Sequence, residues 1–458
     1  MVVIGAGPGG QRAAIQAAKL HRRVALVDRA VDLGGVSVNT GTIPSKTLRE
    51  AILHVTGMRG VDDRGARSGG LAFDEVRREM ARVMGAERDV VRDQLQRNGV
   101  RVLEGTARFA GPGELVVARG PDEVRLRAER VVIATGSRPS RPDGVAFNER
   151  TILDSDGIVQ MTAVPSAMVV VGGGVIGVEY ASMFAALGCR VTLVNHGTTL
   201  LEFCDREITD DLVAALRHAG ITLRLGEHVV SVEEHPGGTI TQLESGKRIA
   251  ADVVLYSAGR RGATDGLGLE TVGVVPDGRG LIPVGTSFET TAQNVWAVGD
   301  VIGFPALAAT SAEQGRIAAC HAFGQPVDAS ASLLPYGIYS VPEISFVGRT
   351  EQDLTAAGVA YEVGVARFRE LARGQINGAV HGLLKLLVGT DRSLLGVHII
   401  GAGATELVHI GQAAMALGGG VDYLIDAVFN YPTLAEAYKV AALNASNQLR
   451  ALEEVETS

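Results

Sequence analysis

Short apolar runs that end in glycine alternate along this chain with stretches whose apolar positions recur every three to four residues. The first run, Val2-Val-Ile4, meets Gly5-Ala-Gly7-Pro-Gly-Gly10; residues 11–19 then carry the helical period, and residues 24–27 form a second apolar run that closes at Asp28. Unbroken apolar runs predict strands buried on both faces, and the period between them predicts a helix, so this segment reads strand, turn, helix, strand. The pattern returns at residues 168–171, Gly172-Gly-Gly174-Val-Ile-Gly177, residues 178–187, and residues 191–194 closing at Asn195. In each copy 23 residues separate the first glycine from the residue that ends the second strand. Two dinucleotide-binding βαβ units are expected, and with them two bound nucleotides.

Between the copies lie a Gly- and Arg-rich loop over 57–70, a helical stretch over 73–98, and Arg130-Val-Val-Ile-Ala-Thr135-Gly136-Ser-Arg-Pro139, an apolar strand leaving through a tight turn. Ser140 to Gly144 reads as a linker. A third apolar strand, Val253-Val-Leu-Tyr256-Ser-Ala-Gly259-Arg260, closes the second unit, and Asn294-Val-Trp296-Ala-Val-Gly299-Asp300 sets an acid at the end of another. From about Leu334 the glycine fingerprints stop, and strands over 383–388 and 394–400 are followed by helical stretches over 406–417 and 434–449. The expected class is α/β: two Rossmann-like dinucleotide-binding domains plus a C-terminal α+β dimerisation domain. The expected boundaries are 1–143, 144–264, 265–333 as a return to the first domain, and 334–458. Only three residues stand between Met1 and Gly5, so the first strand is either short or begins in chain upstream.

Composition narrows the partners. A chain of 458 residues exceeds the size at which one core stops growing. Its net charge of −8 and dispersed Lys and Arg residues give no basic footprint for nucleic acid. Glycine or charge interrupts every apolar stretch before a membrane-spanning length of roughly 20 residues. No basic leader followed by an apolar segment opens the chain. Cys189, Cys204 and Cys320 are odd in number and lack metal-ligand spacing, which suits ordinary core thiols in a reducing cytoplasm.

In a dinucleotide fold the first glycine permits the sharp turn, the second lets backbone approach the pyrophosphate, and the third packs helix on strand. The helix N-terminus then stabilises phosphate charge. Gly5, Gly7 and Gly10, and again Gly172, Gly174 and Gly177, stand in these roles, with Asp28 placed to accept hydrogen bonds from an adenosine ribose.

The first fingerprint, the segment Gly34-Gly35-Val-Ser37-Val-Asn39-Thr-Gly41-Thr42-Ile-Pro44-Ser45-Lys46, Ala-Thr135-Gly136, the second fingerprint, Gly299-Asp300 and the C-terminal part together resemble the FAD-dependent pyridine nucleotide-disulfide oxidoreductases along nearly the whole chain. The resemblance implies FAD in the first unit, with Asp300 on its ribityl chain, and NAD or NADP in the second. It adds Gly35, Ser37, Thr42, Ala107, Thr135, Gly136, Gly259 and Ala309 to the cofactor-binding set. It also implies that Lys46 lies near the flavin N5 and pairs with Glu179, and that a homodimer carries Glu436 toward the partner's flavin.

One departure from that family decides the chemistry. Members that reduce disulfides carry cysteines where this chain has Ser37 and Thr42, and an acid/base His where Asn430-Tyr431-Pro432-Thr433-Leu434-Ala435-Glu436 has Tyr431. A hydroxyl supplies no thiolate, so dithiol chemistry is excluded and hydride exchange between nicotinamide and flavin is what survives.

Asn195 governs the choice of nucleotide. An acid there would repel a 2′-phosphate by about 4 kcal/mol at 4 Å and an effective dielectric of 20, roughly a thousandfold before screening. Asn195 imposes no such penalty, and His196-Gly-Thr-Thr199 offers no arginine. The site is therefore expected to accept both NADPH and NAD+, unless Arg260 and Arg261 beyond the closing strand restore selectivity. Ping-pong hydride exchange between NADPH and NAD+ is the expected activity. An NAD(P)H:quinone reductase and a non-catalytic nucleotide-sensing flavoprotein remain open as alternatives.

Overall fold

Val2–Ile4 forms a three-residue strand that is wholly buried and paired on both edges. Val2, Val3 and Ile4 run parallel to Ala25, Leu26 and Val27 on one side and to Val131, Val132 and Ile133 on the other. The structure is a computed structural model and describes residues 1–56, 73–327 and 333–456. The loop expected over 57–70 lies outside the described residues.

The described residues divide into two compact units, one of 1–48, 74–141 and 259–327, the other of 49–56, 73, 142–258 and 333–456. In the first, Arg101–Glu104 adds to Ala25–Asp28 and Val295–Ala297 adds to Val131–Ile133, completing a five-stranded parallel sheet. In the second, Thr222–Leu225, Arg190–Asn195, Ala167–Val171, Val253–Tyr256 and Ile152–Leu153 lie side by side in the same arrangement. The duplication goes further than the glycine turns. Each sheet carries a three-stranded antiparallel meander between its outer strand and the strand beyond its first: Thr106–Gly111, Glu114–Arg119 and Asp122–Arg127 in one, Val229–His235, Gly238–Leu243 and Arg248–Ala251 in the other.

The meanders were not anticipated, although their turns carry a local signal. Pro112-Gly113, Gly120-Pro121 and Pro236-Gly237 are two-residue hairpin loops in which glycine takes positive φ, +71°, +59° and +96°. Helix starts also differ from the periodicity. The first helix begins at Pro8 rather than Gln11, because proline's fixed φ suits the first helical position. The strand expected to run from Val253 to Arg260 ends at Tyr256. Ser257 folds back to donate to Val171 O at 2.9 Å, Gly259 turns with φ +98°, and Arg260–Gly262 pairs instead with Ser137–Pro139 in the first unit.

The rest of the second unit is a five-stranded antiparallel sheet, in the order Tyr336–Ile338, Ile344–Gly348, Leu394–Ile400, Leu383–Gly389, Tyr361–Arg367. Helices Ala404–Ala416 and Glu436–Glu456 cover it around a core that includes Val397, Ile399, Val408 and Tyr438. Gly364 allows the long helix to approach, since a Cβ there would stand 2.0 Å from Ala441 O. Strand Leu383–Gly389 is buried throughout, Lys385 included. That ammonium is matched by Asp205 at 2.8 Å, Glu207 at 3.3 Å and Glu351.

Candidate functional site

The three glycines of each turn meet three different demands. Gly5 has φ +106°, and a Cβ on it would lie 2.2 Å from Ala134 O; Gly10 sits inside the helix, where a Cβ would lie 1.9 Å from Gly5 O. Gly7 is different: its φ of −70° suits any residue, and a Cβ there meets nothing within 4 Å. The second turn repeats this, with Gly172 at φ +112°, a Cβ on Gly177 falling 1.8 Å from Gly172 O, and Gly174 facing open space. The first and third glycines thus serve the fold. The middle one leaves room in front of a helix N-terminus whose first-turn N–H groups are free to meet an anion.

At the end of the second strand the two copies diverge. Asp28 accepts from Ala6 N–H at 2.6 Å and Ala30 N–H at 2.9 Å, one bond on each oxygen, which orients the carboxylate and leaves lone pairs for ribose hydroxyls. Asn195 accepts from Gly173 N–H at 2.9 Å, and its amide donates to Gly197 O at 3.1 Å and Thr199 O at 2.9 Å. Both donors brace its own loop.

The segment in place of the redox signature is built on two left-handed glycines, Gly34 at φ +113° and Gly35 at φ +60°. A Cβ on Gly35 would stand 2.9 Å from Gly7 Cα, so this residue packs directly against the first turn. Ser37 lies on the short helix Gly35–Asn39 and Thr42 opens the helix Thr42–Val55. Asn39 ties the segment down by donating to Asp32 O and Gly35 O while accepting from Arg88. Lys46 is half-buried one turn into the second helix.

Asp300 is held by groups that sequence reasoning passed over. Ser137, buried at the turn after Val131–Ile133, donates to Asp300 Oδ2 at 2.7 Å, and Arg260 donates to Ser137 Oγ at 2.8 Å and to Ser137 O at 3.0 Å. Gln314 accepts the Gly299 N–H at 2.8 Å, fixing the backbone just before the acid. Nearby in sequence, Thr135 Oγ1 is buried with no hydrogen-bond partner among the described residues, and Gly136 turns with φ +72°. Ala309 is exposed in the first turn of helix Ala308–Ala322, where its N–H has no intrahelical acceptor. Ala107 lies with its side chain in the core beside Val27 and Phe109 and its backbone in the meander ladder, so it offers no side chain to a ligand.

In the second unit Glu179, 3% exposed, accepts from Tyr339 N–H at 2.8 Å, and Ser182 one turn later accepts from Val341 N–H at 3.0 Å. The helix after the second turn is therefore latched to the segment entering the antiparallel sheet. Glu436 opens the last helix and is half-buried. Lys46 and Glu179 belong to different units. Gly259 falls in the first unit. Arg260 and Arg261 do too, with guanidinium bonds to Ser137 and to Gly278 O.

The three cysteines are buried and free. Burial pushes the Cys189 thiol up to about 11 and the Cys204 thiol up to about 12, the opposite of what a nucleophile needs.

These residues fit a dinucleotide in the first unit: a turn open at Gly7, an oriented Asp28, a fixed Asp300 and an orphaned Thr135 hydroxyl. The second unit offers a like turn open at Gly174.

A family profile described as pyridine nucleotide-disulphide oxidoreductase matches residues 1–315, and one described as the dimerisation domain of the same family matches 334–442. A soluble pyridine nucleotide transhydrogenase of Mycobacterium tuberculosis is 55% identical over 99% of this chain and 98% of its own length. One of Yersinia enterocolitica is 42% identical over 98% of each. Among solved structures, LpdA from Mycobacterium tuberculosis is 26% identical with a TM-score of 0.89, covering 96% of this chain and 98% of that one. The HOCl-induced flavoprotein disulfide reductase RclA from Escherichia coli is 27% identical with a TM-score of 0.87, over 96% of this chain and 99% of that one.

Proposed function

Because this chain belongs to the pyridine nucleotide-disulphide oxidoreductase family, we propose that it is a flavin-dependent transhydrogenase that exchanges hydride between NADPH and NAD+. The observation that carries this reading is the combination of two duplicated dinucleotide turns with Ser37 and Thr42 where disulfide-reducing relatives hold thiols. FAD, when bound, supplies a two-electron acceptor that takes hydride from one nicotinamide and returns it to another.

The first unit would hold that cofactor: the helix N-terminus after Gly7 would take its pyrophosphate, Asp28 its adenosine ribose, and Asp300, oriented by Ser137, its ribityl chain. The second unit receives NADPH at Gly174, releases NADP+, and then receives NAD+ in the same place. With no competing thiol, Ser37 and Thr42 line the segment without drawing electrons away from the nicotinamide. Lys46 is assigned to compensate charge beside the flavin, and Glu179, whose carboxylate the Tyr339 N–H orients, to position the nicotinamide.

A homodimer completes this reading. The dimerisation profile over 334–442 supports it, as do the exposed Leu417, Tyr423, Val428 and Tyr431 in the same region. Glu436 is assigned to the partner's flavin site. No helix among the described residues is long and apolar enough to cross a membrane. We place the enzyme in the cytoplasm, which buried free thiols suit.

The test is anaerobic reduction of the purified holoprotein by NADPH, monitored by flavin absorbance, followed by NAD+. Bleaching and then recovery with stoichiometric NADH is expected, with parallel-line steady-state kinetics. Absence of FAD, or catalytic reduction of a disulfide, would overturn the reading.

A further inference from the structure

Two histidine rings stack at the end of the second nucleotide fold. His196, the residue after Asn195, and His228 have ring centroids 3.8 Å apart at an interplanar angle of 36°. Backbone bonds hold them together: Glu227 N–H donates to Asn195 O at 3.1 Å, Gly226 N–H to Gly197 O at 3.0 Å, and Glu244 N–H to His228 O at 2.9 Å. Both residues are exposed, and neither ring hydrogen-bonds to another described residue.

The end of the second strand of a dinucleotide fold is where the ribose 2′ position is read. NADP(H) carries a phosphate there and NAD(H) a hydroxyl. Asn195 has both amide hydrogens committed to Gly197 and Thr199. The charged groups on the surrounding elements are Glu202, which a Cβ on Gly197 would meet at 2.5 Å; Glu227, matched by Lys247 at 3.0 Å; Glu244, next to the bond to His228; and Arg224, exposed on the adjoining strand. Two imidazolium rings this close repel, and a phosphate dianion shared by them removes that repulsion.

We propose that His196 and His228 form a proton-gated site for the nucleotide 2′-phosphate, so that one pocket accepts both NADP(H) and NAD(H) while its preference follows pH. This rests on reading the second fold as the nicotinamide nucleotide site. Phosphate binding raises the rings' affinity for protons, and by reciprocity protonation raises affinity for the phosphate. Preference for NADP(H) is therefore strongest when the rings are charged and declines as rising pH removes their protons.

Titration calorimetry of the holoenzyme with NADP+ and with NAD+, in buffers free of phosphate at pH 6.5 and 8.5, tests this. A pair of ligands, 2′,5′-ADP and 5′-ADP, isolates the 2′-phosphate from the nicotinamide. The ratio of NAD+ to NADP+ dissociation constants is expected to fall about tenfold between the two pH values. H196Q and H228Q are each expected to hold it near the high-pH value at both. A flat ratio in the unaltered protein, or a pH-dependent ratio that survives both substitutions, overturns the proposal alone. Failure of both nucleotides to bind at either pH overturns the underlying reading and the proposal with it.

Discussion

Ser137 donates its hydroxyl to Asp300 at 2.7 Å across 163 residues of sequence, and the same oxygen accepts from Arg260. Arg260, Ser137 and Asp300 form a relay that leaves one carboxylate oxygen of Asp300 for a ligand hydroxyl. Its effect is to fix an acid whose rotamer nothing local determines.

Ser137→Ala is expected to weaken FAD retention about tenfold, because a hydrogen bond to a charged group contributes about 1.5–3 kcal/mol and the truncation strands both Arg260 Nε and Asp300 Oδ2. Fluorescence of FAD released on dilution of the holoprotein measures it. Unchanged retention would show that Asp300 does not need this support.

Gly174 and Gly177 are expected to respond oppositely to alanine. At Gly177 the new Cβ would stand 1.8 Å from Gly172 O, so the helix must shift, at a cost of about 3 kcal/mol or more. At about 2–4 °C per kcal/mol, melting should come at least ~6 °C lower. At Gly174 the Cβ meets no protein atom and φ is ordinary, so melting should hold while nicotinamide nucleotide affinity drops about tenfold. Circular dichroism melts and nucleotide titration of both variants check the contrast.

Lys385→Met is expected to destabilise the second unit by about 3–5 kcal/mol, since it leaves Asp205 and two glutamates facing a buried apolar group. Burial pushes the ammonium down, but Asp205 and Glu351 more than reverse it and hold it above its ordinary value. Burial likewise pushes Asp205 up, but His398 nearby, then Lys385 and the Glu351 N–H, pull it below the usual carboxylate range. The raised lysine stabilises fully below about pH 10.4 and loses that contribution as pH rises through its folded value; the lowered aspartate stabilises above about pH 3.9 and loses it as pH falls. His398, which burial holds down, adds a loss that begins as pH falls below about 6.5. Urea midpoints from pH 3 to 11 should show both outer declines in the parent and flatter ones in the variant.

Asn195→Asp is expected to lower kcat/KM for NADPH at least about tenfold more than for NADH, the screened remainder of a repulsion near 4 kcal/mol. The loop should also loosen, because a carboxylate would face Gly197 O and Thr199 O in place of two donated bonds. Parallel assays with the two reduced nucleotides, at low and high salt, separate the electrostatic part.

Much of the site was legible in the chain because its geometry is local. A strand running into glycine, a helical period after it and an acid 23 residues on are all written within one short segment, and Gly5, Gly10, Gly172 and Gly177 pack as their spacing implied. The absence of thiols at Ser37 and Thr42 is equally a property of the sequence alone. Only the tertiary structure decided that Ser137 steadies Asp300, that the Tyr339 amide orients Glu179, that Arg260 donates to Ser137, and that Lys385 is buried among acids. Each of those bonds joins segments 120 or more residues apart. A hydrogen bond has no sequence period when its partners meet only after separate sheets have formed, so periodicity and turn chemistry, which act within a few residues, carry no trace of it.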